Sequence, residues 1–141
     1  PDPRRQAAQE AEGRGSMSGL VLDSGALIAF ERNERKVVSL ILRAMQNGLR
    51  LVVPAGVVGQ VWRDGRKQVR LAGLLGSNLM EVVPLDDHSA RAAGQLCGVT
   101  GTQDVIDASV VLCARARGLP VMTSDVADLR KLDPALVIHP V

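Results

Sequence analysis

Four aspartates stand where this chain could carry out chemistry. Asp23 closes the apolar run LVLD, and Asp125 closes the run PVMTSD. Asp104 and Asp107 lie three residues apart at the start of a helical pattern, so they share one face of that helix. Carboxylates that converge repel one another unless a divalent metal ion lies between them. A set of oxygen ligands without His or Cys favours Mg²⁺ or Mn²⁺ over Zn²⁺.

Helix capping is the simpler interpretation of three of these aspartates. An Asp before a helix accepts backbone N–H groups of the first turn, and Asp23, Asp104 and Asp125 all stand at such positions. Asp107 fits this interpretation poorly, because the pattern places it inside the helix beside apolar residues. No Lys or Arg stands three or four residues from it. We therefore expect its carboxylate to need a cationic partner.

The elements that must position these acids alternate between short Val/Leu runs and longer helical patterns. This alternation predicts an α/β domain with a mostly parallel sheet of about five strands and helices on both faces. Strands are predicted at 20–23, 51–53, 81–83, 120–123 and 136–139. Helices are predicted at 24–32, 34–47, 55–72, 87–97, 102–117 and 126–132. Chemistry in such a sheet collects beyond the carboxyl ends of the strands, so Asp23 and Asp125 are expected at one rim.

The composition limits the class of protein. The chain has 141 residues, of which 46% are hydrophobic, enough for one domain with a real core. Residues 1–16 have the composition of a tag or a disordered extension, which leaves 17–141 as the domain. A net charge of +2 excludes a protein that holds nucleic acid by overall charge, and 1% aromatic content excludes a base-stacking platform. No apolar run approaches the roughly 20 residues of a membrane span.

The cysteines and histidines point away from zinc and disulfide chemistry. Cys97 and Cys113 stand in apolar surroundings, and the chain shows no export signal, so we expect reduced thiols and a cytoplasmic location. His88 and His139 are isolated and make no zinc spacing with the cysteines. Neither histidine is therefore expected to bind a metal.

Residues 17–141 resemble the PIN-domain family, and more narrowly the VapC-like toxins of bacterial toxin–antitoxin pairs. The segment LVLDSGALIAF resembles the family's first motif, with Asp23 as a metal-binding acid. The segment DVIDASVVLCARARGLPVMTSD is similar to the strongest motif pair, with Asp107 and Asp125 in the expected places. The combination of motifs is specific, whereas either one alone is weak.

This resemblance implies an endoribonuclease toxin that cleaves single-stranded or looped RNA. Asp23, Asp107 and Asp125 would bind Mg²⁺, with Mn²⁺ as an alternative, and Asp104 would be a further ligand or would orient the attacking water. The metal would activate water and neutralise charge on the leaving oxygen, so no side-chain nucleophile is needed. The implied partners are a cognate antitoxin and a second copy of the chain in a homodimer.

Gln60 departs from the family pattern. The family usually carries a Glu in the helix after the second strand, and an amide oxygen at that position ligates a cation without adding charge. A catalytically weakened PIN-like module that binds RNA or an antitoxin is therefore the alternative. A phosphatase with Asp23 as nucleophile is disfavoured, because Gly25 stands where its second Asp is required.

Four cations follow Gln60 in the helix predicted over 55–72. Arg63, Arg66, Lys67 and Arg70 are spaced i, i+3, i+4 and i+7, which predicts one continuous basic helix face. Such a face suits the phosphates of RNA. A solvated surface or a contact with an acidic antitoxin tail would produce the same pattern.

Overall fold

A computed structural model describes residues 18–141, and the predicted tag or extension at 1–16 lies outside the described residues. Within the described part, five strands are β1 Gly19–Leu22, β2 Arg50–Pro54, β3 Met80–Val83, β4 Val121–Thr123 and β5 Ile138–Pro140. The helices of the same part are α1 Ser24–Glu31, α2 Arg35–Gln46, α3 Ala55–Val61, α4 Val69–Leu75, α5 Asp87–Thr100, α6 Val105–Arg117 and α7 Val126–Leu132.

All five strands form one parallel sheet in the order β3-β2-β1-β4-β5. Val21 in β1 pairs with Val52 in β2 on one side and with Val121 in β4 on the other. Strand β1 is therefore the centre of the sheet, and the carboxyl ends of β1 and β4 are neighbours. The predicted α/β class with a parallel sheet of five strands is confirmed.

The core consists of the three central strands and the helices packed on them. Leu22, Val52 and Met122 are almost fully buried in β1, β2 and β4. Helices α1 and α6 both pack against β1 and β4. Parallel strands covered in this way are apolar along their whole length, which is why the Val/Leu runs locate them correctly.

The prediction of a single helix over 55–72 is wrong, because the helix that begins at Ala55 ends at Val61. Helix α3 ends there, residues 62–68 form a loop, and α4 begins at Val69. The Arg63 guanidinium donates to the carbonyl oxygens of Gly59 and Trp62 at 3.1 and 2.7 Å, which satisfies acceptors at the end of α3. The break was signalled by the Asp-Gly pair at 64–65, a common turn dipeptide.

The predicted basic helix face is therefore also wrong. Arg63, Arg66 and Lys67 lie in the loop at 62–68, and only Arg70 lies on a helix, in the first turn of α4. All four side chains are on exposed residues. Their spacing in the sequence therefore does not place them on one helix face.

Helices α1 and α2 differ from the prediction by one residue at one or both ends, whereas α5 and α6 each differ by three residues at one end. Helix α5 continues past Cys97 to Thr100 and ends at Gly101, whose φ of 69° is the left-handed conformation that glycine adopts readily. Helix α6 begins at Val105 instead of at position 102, because Asp104 caps it. Cys97 and Cys113 are buried free thiols in these two helices.

No single helix in residues 18–141 is long and apolar enough to cross a bilayer. Helices α5 and α6 meet the length and composition criteria only as a pair, and the pair is bent by 104°.

Candidate active site

Asp23 lies at the carboxyl end of β1 and is 3% exposed. Its Oδ1 accepts the backbone N–H of Ala26 at 3.1 Å, so the capping interpretation is confirmed for this residue. Its Oδ2 accepts a hydrogen bond from the hydroxyl of Thr123. Burial raises the pKa of Asp23, and these hydrogen bonds offset part of that effect. The carboxylate is thus held in one orientation at the rim of the sheet.

The Thr123 hydroxyl connects Asp23 with Asp125. It donates to the Asp23 carboxylate and accepts the backbone N–H of Asp125 at 2.8 Å. Asp125 occupies the predicted N-cap position of α7, but its side chain makes no capping hydrogen bond to that helix. The exposed Asp125 carboxylate lies close enough to Asp23 for its charge to raise the pKa of that acid. Strands β1 and β4 therefore deliver two acids to one place.

Helix α6 supplies the other two predicted acids from its first turn. Asp104 caps the helix, with its Oδ1 accepting the backbone N–H of Asp107 at 2.9 Å. The capping interpretation is confirmed for Asp104. Asp107 is the third residue of α6, so it lies in the first turn and not in the helix interior as predicted. The partial positive charge of a helix N-terminus favours an acid there.

The pKa of Asp107 rises from its ordinary value of 3.8 to about 6. Burial of the half-buried carboxyl is the largest cause, followed by repulsion from the charges of Asp104, Asp125, Asp23 and Asp128. The fold therefore brings the other three predicted acids within electrostatic reach of Asp107. The main causes of this shift are burial and neighbouring carboxylates, and none of them is a Lys or an Arg.

Asp128 is an acid of this site that the sequence reasoning missed. It lies in the first turn of α7 and lines, with Asp104 and Asp107, a groove of about 290 Å³. Lys131 also lines the groove, and its Nζ lies 3.8 Å from Asp128 Oδ1. Asp128 follows Asp125 by three residues at a helix start, the same spacing that identified Asp104 and Asp107.

The donor chemistry of the site fits a hard divalent cation. The acids offer only carboxylate oxygens, which Mg²⁺ and Mn²⁺ prefer. Their negative charges repel one another, and such an ion would neutralise these charges. As the side chains stand, no three His, Cys, Asp or Glu groups in residues 18–141 surround a position for a metal ion. Gln60 is exposed on α3, and its amide makes no hydrogen bond within the same residues.

The parallel sheet and its acidic rim agree with the family comparison. Residues 20–133 match the model of the PIN domain, and the chain belongs to the PIN-domain family. PIN domains are generally nucleases. The family resemblance inferred from the motifs around Asp23, Asp107 and Asp125 is thereby confirmed. No curated protein sequence matches the chain.

Solved structures extend this comparison to particular proteins. The structure of VapBC2 from Rickettsia felis bound to a DNA fragment from its promoter is similar, with a TM-score of 0.62 and 14% identity over 86% of this chain and 97% of that chain. The structure of FitAcB from Neisseria gonorrhoeae gives 0.57 and 19%, over 85% and 96%. The structure of FitAB bound to the IR36 DNA fragment gives 0.61 and 15%, over 86% and 94%. At these identities the likeness is one of fold.

Proposed function

We propose that this chain is a metal-dependent endoribonuclease that cleaves single-stranded or looped RNA. The observation that carries the proposal is the convergence of Asp23, Asp104 and Asp125 on Asp107, whose pKa is raised to about 6. A pKa perturbed by burial and by several like charges at a strand-end rim is typical of a functional site. Membership of a family of nucleases gives the reaction class.

Asp23, Asp107 and Asp125 would hold the metal, and Asp104 would orient the attacking water. A bound Mg²⁺ or Mn²⁺ would supply activation of water and neutralisation of charge on the phosphodiester. The chain's own contribution is preorganisation. The Ala26 N–H and the Thr123 hydroxyl fix the Asp23 carboxylate, so it need not be reoriented during the reaction.

The biological setting follows from the same resemblance. The likeness to the VapBC2 and FitAB structures supports a toxin that a cognate antitoxin restrains. A homodimer and a cytoplasmic location are part of this proposal, on the basis of the VapC-like motifs. Loss of growth on expression of the chain alone, and its rescue by a co-expressed antitoxin, would test the setting separately from the chemistry.

A catalytically weakened module that binds RNA or an antitoxin is the second candidate. Gln60 favours it, because the amide brings no charge to the position where the family usually has a carboxylate. Weak metal binding with intact RNA binding is the behaviour that this candidate requires.

A cleavage assay on mixed RNA, run side by side with Mg²⁺, Mn²⁺ and chelator, separates the two candidates. The nuclease proposal expects cleavage that requires metal and that falls by at least about a hundredfold in Asp107→Asn, as expected when a metal ligand is removed. The matched control is Asp87→Asn, because Asp87 is an exposed acid in the first turn of α5 that forms an ion pair with Arg91. RNA binding without cleavage in either metal would refute the nuclease and support the second candidate.

A further inference from the structure

The segment from Trp62 to Gln68, here called the cationic loop, is held together by one buried amide. Gln68 is 8% exposed, and its Oε1 accepts the backbone N–H groups of Arg63 at 2.7 Å and Asp64 at 2.9 Å. Its Nε2 donates to the carbonyl oxygen of Val61 at 2.8 Å and to both carboxylate oxygens of Glu31 at 3.2 Å. Every polar atom of this amide is therefore used inside the protein.

The rest of the cationic loop is ordered around this amide. The Asp64 side chain accepts the N–H of Arg66, and the Asp64 carbonyl oxygen accepts those of Lys67 and Gln68, all at 3.0 Å. Gly65 lies directly against the Trp62 ring, since a Cβ there would come within 2.6 Å of it. These contacts define one backbone conformation between α3 and α4.

The cations of the loop differ in the contacts that they make. Arg63 turns its guanidinium onto the carbonyl oxygens of Gly59 and Trp62, so it closes α3. Arg66 and Lys67 lie on the exposed side, and neither forms an ion pair within residues 18–141. Two cations that no acid of the described residues neutralises, on a backbone fixed from inside, are suited to phosphates of a single strand.

The cationic loop lies one helix length from the acidic rim. Helix α1 starts at the rim after Asp23 and ends at Glu31, the residue to which Gln68 is bonded. Its eight residues span about 12 Å at a rise of about 1.5 Å per residue. Helix α3 runs from the end of β2 at the rim to the same loop.

We propose that Gln68 is a positioning residue for substrate. It holds the cationic loop in a preformed conformation, so that Arg66 and Lys67 contact phosphates of the RNA strand that leads to the acidic rim. The proposal rests on the proposed ribonuclease function for the identity of the ligand. A loop fixed before binding loses less conformational entropy when RNA binds, which strengthens each phosphate contact.

The test measures RNA binding in the Asp107→Asn background, where cleavage does not interfere. A labelled single-stranded RNA of mixed sequence is titrated between 0.05 and 0.3 M salt. Removing both cations, with Arg66→Ala and Lys67→Ala, is expected to lower the salt slope by up to about 1.4, since each single-strand phosphate contact contributes about 0.7. At about 0.1 M salt this corresponds to up to about 25-fold weaker binding.

Gln68→Met keeps the length of the side chain and removes its hydrogen bonds. We expect it to weaken RNA binding by about fivefold, about half the effect of removing both cations on a logarithmic scale. Added to the variant without Arg66 and Lys67, it is expected to change binding less than twofold, because it acts through those cations. Equal effects of Gln68→Met with and without the cations, or no effect in either, would overturn the proposal.

A second variant keeps the test valid if Gln68→Met does not fold, as judged by its thermal melt. Gln68→Glu places two carboxylates face to face, and adding Glu31→Gln restores a hydrogen bond between them with donor and acceptor exchanged. We expect Gln68→Glu alone to bind RNA at least fivefold more weakly, and the pair to recover part of that loss, because the Val61 carbonyl oxygen still lacks its donor. No loss in the single variant, or no recovery in a folded pair, would overturn the proposal.

A kinetic readout separates this proposal from the proposed function. With Asp107 intact, Gln68→Met is expected to raise KM and leave kcat unchanged, because the loop binds substrate and does not touch the reacting phosphate. A fall in kcat as large as the rise in KM would overturn the positioning role. A chain that binds RNA through the loop but cleaves nothing in Mg²⁺ or Mn²⁺ would refute the ribonuclease function and leave the role of Gln68 in binding intact.

Discussion

Asp107→Asn is expected to stabilise the metal-free protein at neutral pH. A raised pKa means that the folded state binds a proton more tightly than the unfolded state, so stability falls as pH rises through the folded value. For Asp107 this loss of stability occurs between pH 3.8, which is its ordinary pKa, and about pH 6. Removing the charge removes the loss, so the variant gains stability above about pH 6 and gains none below about pH 4.

The size of the effect follows from the pKa and from the exposure of the site. The difference between the ordinary pKa of 3.8 and the raised pKa of about 6 corresponds to about 3 kcal/mol of unfolding free energy, at 1.36 kcal/mol for each pKa unit. The carboxyl is only half-buried, and solvent screens its repulsion, so we expect about 1 to 2 kcal/mol in practice. For a domain of this size that is a rise in melting temperature of about 4 to 8 °C.

The assay is a series of thermal melts in chelator between pH 4 and pH 8. Asp86→Asn is the control of opposite sign, because the Ser89 N–H bonded to the Asp86 carboxylate lowers its pKa. Removing that charge is expected to reduce stability at neutral pH, and the difference is expected to vanish as pH falls. Parallel pH profiles of the unmutated protein and Asp107→Asn would refute the reasoning, and so would a destabilised variant at pH 7.5.

Three further predictions concern the same rim. Millimolar Mg²⁺ or Mn²⁺ is expected to raise the melting temperature of the unmutated protein, because the ion binds only the folded state. Asp107→Asn is expected to lose most of that rise. Unchanged melting of the unmutated protein would refute a metal site. Gln60→Glu is expected to widen the gap in melting temperature between metal-loaded and chelated protein and to increase cleavage at low metal concentration, whereas identical gaps and rates would place Gln60 away from the metal. Gly25→Ala is expected to destabilise the fold by about 1 to 3 kcal/mol in urea unfolding, because its Cβ would come within 2.0 Å of Ser124 Oγ and 2.9 Å of Ser124 Cβ. Adding Ser124→Gly is expected to restore most of this loss, and no recovery would show that the clash lies elsewhere.

The sequence was sufficient to predict the sheet and the place of the acids on it. The central strands are buried throughout, so their Val/Leu runs are uninterrupted and end where the chain turns polar. Asp23 and Asp125 stand at or just after two such ends, and parallel pairing of β1 with β4 brings those ends together. The motifs gave the family without knowledge of the strand order.

The local Asp-Gly pair at 64–65 indicates a turn after α3, but the contacts that stabilise the loop there come from residues distant in the sequence. Arg66, Lys67 and Arg70 are spaced as on a helix face, and this spacing misled the prediction. The loop is stabilised instead by Gln68, which bonds to Glu31, 37 residues earlier in the chain. The raised pKa of Asp107 has the same origin, because the acids around it come from three separate elements.

The central position of β1 has a consequence for the order of events during synthesis. Asp23 and Thr123, which share a hydrogen bond, are separated by 100 residues, so a ribosome needs about 5 to 20 s to make the second after the first. During that interval β1 can pair with β2, while its other edge waits for β4. The acidic rim is therefore completed late, and a nascent chain that has already formed half of its sheet still has no assembled site.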